Sequence, residues 1–157
     1  MRHVISALVQ NRPGVLARIV GLFSARGFNI ESLAVGETEN AEVSRLTVVV
    51  GGDDAILEQV RKQLGKVVDV IKVQDYSSEP YVERDLMLIK VVCPPAKRPE
   101  VLAAGEAFRA HAVDVGEKSI LFQLVGDENK VEAFIRCMRP YGIRELCRTG
   151  RIAMLRT

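Results

Sequence analysis

Asn11, Arg12, Pro13 and Gly14 stand between an apolar, β-branched run from Val4 to Val9 and a segment in which Val15, Leu16, Ile19, Val20 and Phe23 recur at helical spacing. A glycine-opened turn at such a place can hold an anion. The first amides of a helix have no intrahelical acceptor, and the positive end of its dipole draws a carboxylate or phosphate. Pro13 suits the first helical position, Asn11 or Arg12 the point where the chain turns in, and Gly14 carries no side chain to block the amides. The same residue types also make an ordinary strand-to-helix turn.

At the far end of that helix, Gly27-Phe28-Asn29-Ile30 offers a glycine for the left-handed position that ends helices and an amide, Asn29, with both a donor and an acceptor. Asn29 can equally do no more than hydrogen-bond its own turn. A zwitterionic amino acid needs both kinds of partner. Backbone amides near residues 13–15 would take its carboxylate, Asn11 and Asn29 its ammonium, and apolar walls its side chain. The helix holds the two turns about 20 Å apart at ~1.5 Å per residue, so one chain cannot close both on one small ligand. Two copies paired antiparallel through this helix can, with each ligand between the Asn11 turn of one and the Asn29 turn of the other.

These turns need elements to place them. Periodicity predicts strand 3–10, helix 13–26, strand 29–37, strand 43–50, helix 53–65 and strand 67–74, a βαββαβ order. Asp53 or Asp54 can cap the second helix after Gly51-Gly52. Residues 75–84, DYSSEPYVER, lose the periodicity. The order then repeats as strand 85–93, helix 98–110, strand 112–116, strand 119–125, helix 128–139 and strand 143–149. The expected fold is α+β, with two ferredoxin-like units in domains 1–76 and 85–157 joined by a linker at 77–84. In the first strand Ile5, Ala7 and Val9 alternate with Val4, Ser6 and Leu8, so both faces are largely apolar and a doubly covered sheet is expected. Association between copies is one way to cover small sheets and their edges.

The 157 residues are 48% hydrophobic and 27% charged, enough apolar material for ordinary globular cores. A net charge of +2 asks for no polyanion, so no nucleic-acid partner is expected. The N-terminus lacks a signal-peptide pattern and no run is long enough to span a bilayer, which predicts a cytoplasmic protein with no membrane partner. Cys93, Cys137 and Cys147 are far apart, without CxxC spacing, and only His3 and His111 accompany them; reduced thiols and no metal site are expected. Ser44-Arg45, Asp53-Asp54 and Glu31 show no base, nucleophile or metal spacing, so no catalytic residue is assigned. Gly51-Gly52 lacks the lysine and hydroxyl residue of a phosphate loop. Arg136, Arg139, Arg144, Arg148, Arg151 and Arg156 crowd the last quarter, as a solvated face or as a surface that meets an acidic partner.

NRPGVLARIVGLFSARGFNIESL resembles the opening of an ACT domain, the ferredoxin-like module that senses small molecules. With NIESLAVGETE, SRLTVVV and QLGKVVDVIKV, the chain resembles the small regulatory subunits of acetolactate synthase (acetohydroxyacid synthase) over essentially its whole length, more loosely in the second half. The resemblance implies an N-terminal ACT domain and a C-terminal ferredoxin-like domain in a non-catalytic homodimer. It also implies a large catalytic partner carrying thiamine diphosphate, Mg2+ and FAD, with no cofactor in this chain. Such a subunit activates that enzyme in branched-chain amino acid biosynthesis and confers feedback inhibition by valine, sometimes by leucine or isoleucine. The effector contacts of the family map onto Asn11, Gly14, Val15, Asn29 and Ile30. Asn11 replaces the aspartate of many ACT domains, which removes a charged partner for the ammonium. Two other readings stay open: a free-standing amino-acid-responsive regulator of another partner, and an acylphosphatase-like hydrolase using Arg12 or Arg18 with Asn29.

Overall fold

The apolar run after Met1 forms β1 (Arg2–Gln10), and because both its faces are apolar it lies inside a sheet and not at an edge. The computed structural model describes residues 1–157 and falls into two units, Met1–Val82 with Arg151–Thr157, and Glu83–Gly150. In the first unit β1 is followed by α1 (Val15–Ala25), β2 (Ile30–Glu37), β3 (Val43–Gly51), α2 (Asp54–Gly65) and β4 (Val70–Asp75). The strands stand in the order β2-β3-β1-β4, all neighbours antiparallel. Ile5, Ala7 and Val9 join Leu46, Val48 and Val50 on the face that meets the helices. Val15, Ile19 and Phe23 of α1 and Leu57, Val60 and Leu64 of α2 cover that face, each set at the spacing that lines one side of a helix. Asp53 caps α2, its side chain accepting from the Ile56 amide at 2.9 Å.

The strand expected at 67–74 begins only at Val70. Val67 and Val68 form the turn that reverses the chain after α2: the Val67 amide donates to Leu64 and the Val70 amide to Val67, and Val68 is 95% exposed. The β preference of valine yields there to the need for a reversal. The helix-free face of this sheet is covered in part by the chain's own end. β9 (Ile152–Leu155) lies beyond the last expected strand, pairs with β5 (Tyr81–Val92), and packs Ala153 with Val4, Val49 and Tyr76.

In the second unit β5 leads through a short 3-10 turn (Pro95–Lys97) to α3 (Arg98–Ala107), β6 (His111–Val115), β7 (Ser119–Gly126), α4 (Glu128–Met138) and β8 (Ile143–Arg148), with strand order β6-β7-β5-β8. Met87, Ile89, Val91, Phe122, Phe134 and Met138 are among its fully buried side chains. Helix α3 stops at Ala107, short of the expected 110, because Arg109 adopts φ 56° and the Ala110 amide closes back on Gly105 at 2.9 Å. That left-handed ending is usually written with glycine, so arginine there reads as helix. Both units are ferredoxin-like βαββαβ folds. No helix is long and apolar enough to cross a membrane.

Candidate functional site

The turn before α1 is built from Arg12 to Val15. The Val15 amide donates to the Arg12 carbonyl at 3.4 Å and Gly14 sits at φ 85°, ψ −10°, which with Pro13 ahead of it describes a type II turn. Gly14, rather than Asn11 or Arg12, is therefore the residue preceding the helix, and Pro13 lies in the turn and not at the first helical position. A Cβ on Gly14 would meet nothing within 4 Å, so glycine is required by its positive φ and not by lack of space. Arg18 donates its amide to Gly14 at 3.0 Å, which leaves the amides of Leu16 and Ala17 as the donors at the helix start.

Asn11 is tied to the β2–β3 hairpin. Its backbone amide donates to Glu42 at 2.8 Å, and its side-chain Nδ2 donates to Ala41 O at 2.8 Å and Glu37 Oε1 at 3.3 Å. Both side-chain protons are thereby used, and Oδ1 remains as an acceptor suited to an ammonium. Beside it lies a shallow cleft, lined in part by Asn11, Arg12, Val15, Leu16, Val35 and Leu46. Val15 and Leu46 are buried, whereas Leu16 and Val35 are 42% and 44% exposed and form an apolar rim. Val35 and Leu46 escape the sequence reading, since they come from strands far along the chain and carry no motif.

At the other end of α1, the Gly27 amide donates to Ser24 and the Phe28 amide to Phe23, both at 3.1 Å, with Gly27 at φ 69°. This pair of bonds is the Schellman ending, and its hydrophobic contact is the edge-to-face Phe23–Phe28 pair at 6.0 Å. The turn is held by backbone bonds, and exposed Asn29 follows it. Ile30 opens β2 opposite Val50, half-buried against the core, just before a bulge at Ser32. The structure thus gathers Asn11, Gly14 and Val15 at one end of α1 and leaves Asn29 and Ile30 at the other, about 16 Å away along its 11 residues. Between those ends, Leu16 and Val20 form an exposed stripe on α1, and β2 is an edge strand.

The groups whose ionisation is displaced lie outside this site. In the second unit Arg148 is partly buried, which opposes its charge, but its bonds to Asp85 and Glu132 outweigh that and raise its pKa. Asp85 is only 1% exposed, so this arginine neutralises a carboxylate inside the fold.

Comparison with known proteins matches residues 5–72 to the AHAS small subunit-like ACT domain and residues 84–157 to the family described as the small subunit of acetolactate synthase. A probable acetolactate synthase small subunit of Archaeoglobus fulgidus is 55% identical over 99% of this chain and 98% of its own. The acetolactate synthase small subunit of Bacillus subtilis is 50% identical over 99% of this chain and 91% of its own. The crystal structure of the acetolactate synthase small subunit from Thermotoga maritima superposes with a TM-score of 0.89 at 40% identity, covering 100% of this chain and 98% of that one. The chain belongs to the family of acetolactate synthase small subunits.

Proposed function

We propose that this chain is the non-catalytic regulatory subunit of acetolactate synthase, which activates the catalytic large subunit and transmits feedback inhibition by valine. The observation that carries the valine site is the division of ligand chemistry between the two ends of α1: amide donors with the Asn11 acceptor at one end, Asn29 at the other. In a homodimer joined through the β2 edge and the Leu16–Val20 stripe, antiparallel pairing sets the Asn11 turn of one copy beside the Asn29 turn of its partner. Valine then lies between Gly14, Val15 and Asn11 of one chain and Asn29 and Ile30 of the other, with Leu16 and Val35 as apolar walls. The first unit, with residues 151–157 returning to it, serves as the effector-binding domain, and Glu83–Gly150 forms the C-terminal domain. Because the ligand bridges two copies, its binding free energy acts on the geometry of the dimer, and through it on the partner.

Thiamine diphosphate, Mg2+ and FAD belong to the large subunit in this reading. The hydrolase alternative loses its cluster: Arg18 is paired with Asp69, and Asn29 lies at the opposite end of α1 from Arg12. Reconstitution with the large subunit, assayed with and without valine, tests the proposal. Activation that valine reverses is expected; unchanged activity in the presence of the small subunit contradicts it.

A further inference from the structure

Around Leu8 the helix-free face of the first sheet carries positive charge. Leu8 in β1 stands opposite Arg45 in β3 and Lys72 in β4, so the two cations flank one leucine with backbones about 10 Å apart at ~4.8 Å per strand. Around them the face presents Ala34, Gly36, Ser6, Thr47 and Gln74, while its carboxylate, Glu31, lies beside Gly51 and is paired with Arg2. The ion pairs of this unit, Arg2–Glu31, Arg18–Asp69 and the pairs of Glu58 with Arg61 and Lys62, involve neither cation. An open cleft lies between them, with Ser6, Gln74, Tyr76 and Met154 in its lining.

Hydrogen bonding fixes the orientation of its floor. Tyr76 donates its single proton to Ala153 O at 2.9 Å, so Ser6 must donate to Tyr76 at 3.0 Å, and Ser6 Oγ accepts from Arg45 Nη1 at 3.4 Å. One guanidinium donor is thus anchored, and half-buried Arg45 and exposed Lys72 both line the cleft. A second copy seated with its two-fold axis on this cleft would set cations against cations. A free small anion gains little in an open cleft where water and salt compete. A polypeptide carboxylate arrives with apolar neighbours, and the cleft offers them half-buried Leu8 and Met154, 63% exposed.

We propose that this face, through Arg45 and Lys72, docks an acidic segment of the catalytic large subunit. The inference rests on the regulatory-subunit reading. The arginine-rich last quarter is a weaker candidate, since Arg148 there is already neutralised by Asp85 and Glu132. The test is titration of large subunit with full-length wild type, Arg45→Glu and Lys72→Glu at two salt concentrations, with valine calorimetry on each chain as a control. Each reversal should raise the half-activating concentration about tenfold or more and flatten its salt dependence, with valine binding unchanged. Wild-type affinity and salt dependence in both variants would overturn the docking face while leaving the regulatory reading intact. A wild-type chain that does not bind the large subunit would overturn both. Saturable binding of citrate by the chain alone, lost in both variants while large-subunit affinity persists, would overturn the polypeptide occupant in favour of a free anion.

Discussion

The two units repeat one chain order and one strand order, yet the connection from first strand to first helix differs completely between them. In the first unit it passes through Arg12-Pro13-Gly14, whose positive φ turns the chain and leaves the Leu16 and Ala17 amides at the helix start. In the second it passes through Pro94, Pro95 and a 3-10 turn into Arg98-Pro99, so three residues contribute no N–H, and the Arg98 side chain donates to Gly116 O at 3.0 Å. An anion needs donors, and proline supplies none. Topology decides where a ligand turn can stand, and a handful of residues decide whether one does.

The largest effect expected from that contrast is purely structural. Phe134 packs against Phe108 and Phe122 with ring centroids 5.2 Å and 5.7 Å away, so Phe134→Ala should cost about 3–5 kcal/mol and lower the melting transition of the second unit. Calorimetric melting should show this while valine affinity holds; loss of valine binding would mean that the site is not confined to the first unit. A smaller cost, about 1–2 kcal/mol, is expected for Gly14→Ala, which forces a Cβ into φ 85°. Here valine affinity should fall at least tenfold while circular dichroism stays native, because the turn carrying the amides must shift.

Asn29→Leu should weaken valine binding similarly with almost no change in melting temperature, since Asn29 is exposed and the turn is closed by backbone bonds. The smallest effect belongs to the second unit. The Tyr141 hydroxyl donates to Glu100 at 2.7 Å, which raises the tyrosine pKa, while that bond and then Lys97 lower that of Glu100. The tyrosine's contribution is present below its ordinary range and lost as pH rises through the raised value. That of Glu100 is present above the ordinary carboxylate range and lost as pH falls through the lowered value. Glu100→Gln should therefore move the ultraviolet tyrosine titration to lower pH and leave valine binding untouched.

Much of this was legible in the sequence because local signals agreed with tertiary need. The β-branched first strand, the 3.6-residue stripes of α1 and α2 and the Gly27 helix ending all stand where the residues imply. Local chemistry failed where a reversal or a distant partner took precedence. Val67 and Val68 bend instead of extending, Arg109 takes a conformation usually left to glycine, and Gly14 displaces Pro13 from the helix. The covering of the first sheet by Ala153 could not be read at all, since it joins residues 77 positions apart through one tyrosine hydroxyl. Of the candidate site, the turn residues were legible, but the cleft walls Val35 and Leu46 exist only once β2 and β3 are paired.

A hybrid dimer tests the central claim most directly. Two sites shared between chains, each using Asn11 of one and Asn29 of the other, are both damaged in Asn11→Ala and in Asn29→Ala homodimers. A dimer with one chain of each kind places both defects in one site and leaves the second site wild type. Calorimetry on tag-purified hybrids should then recover wild-type valine affinity at half the wild-type stoichiometry. Hybrids that bind valine as weakly as the two parents would contradict a site divided between subunits.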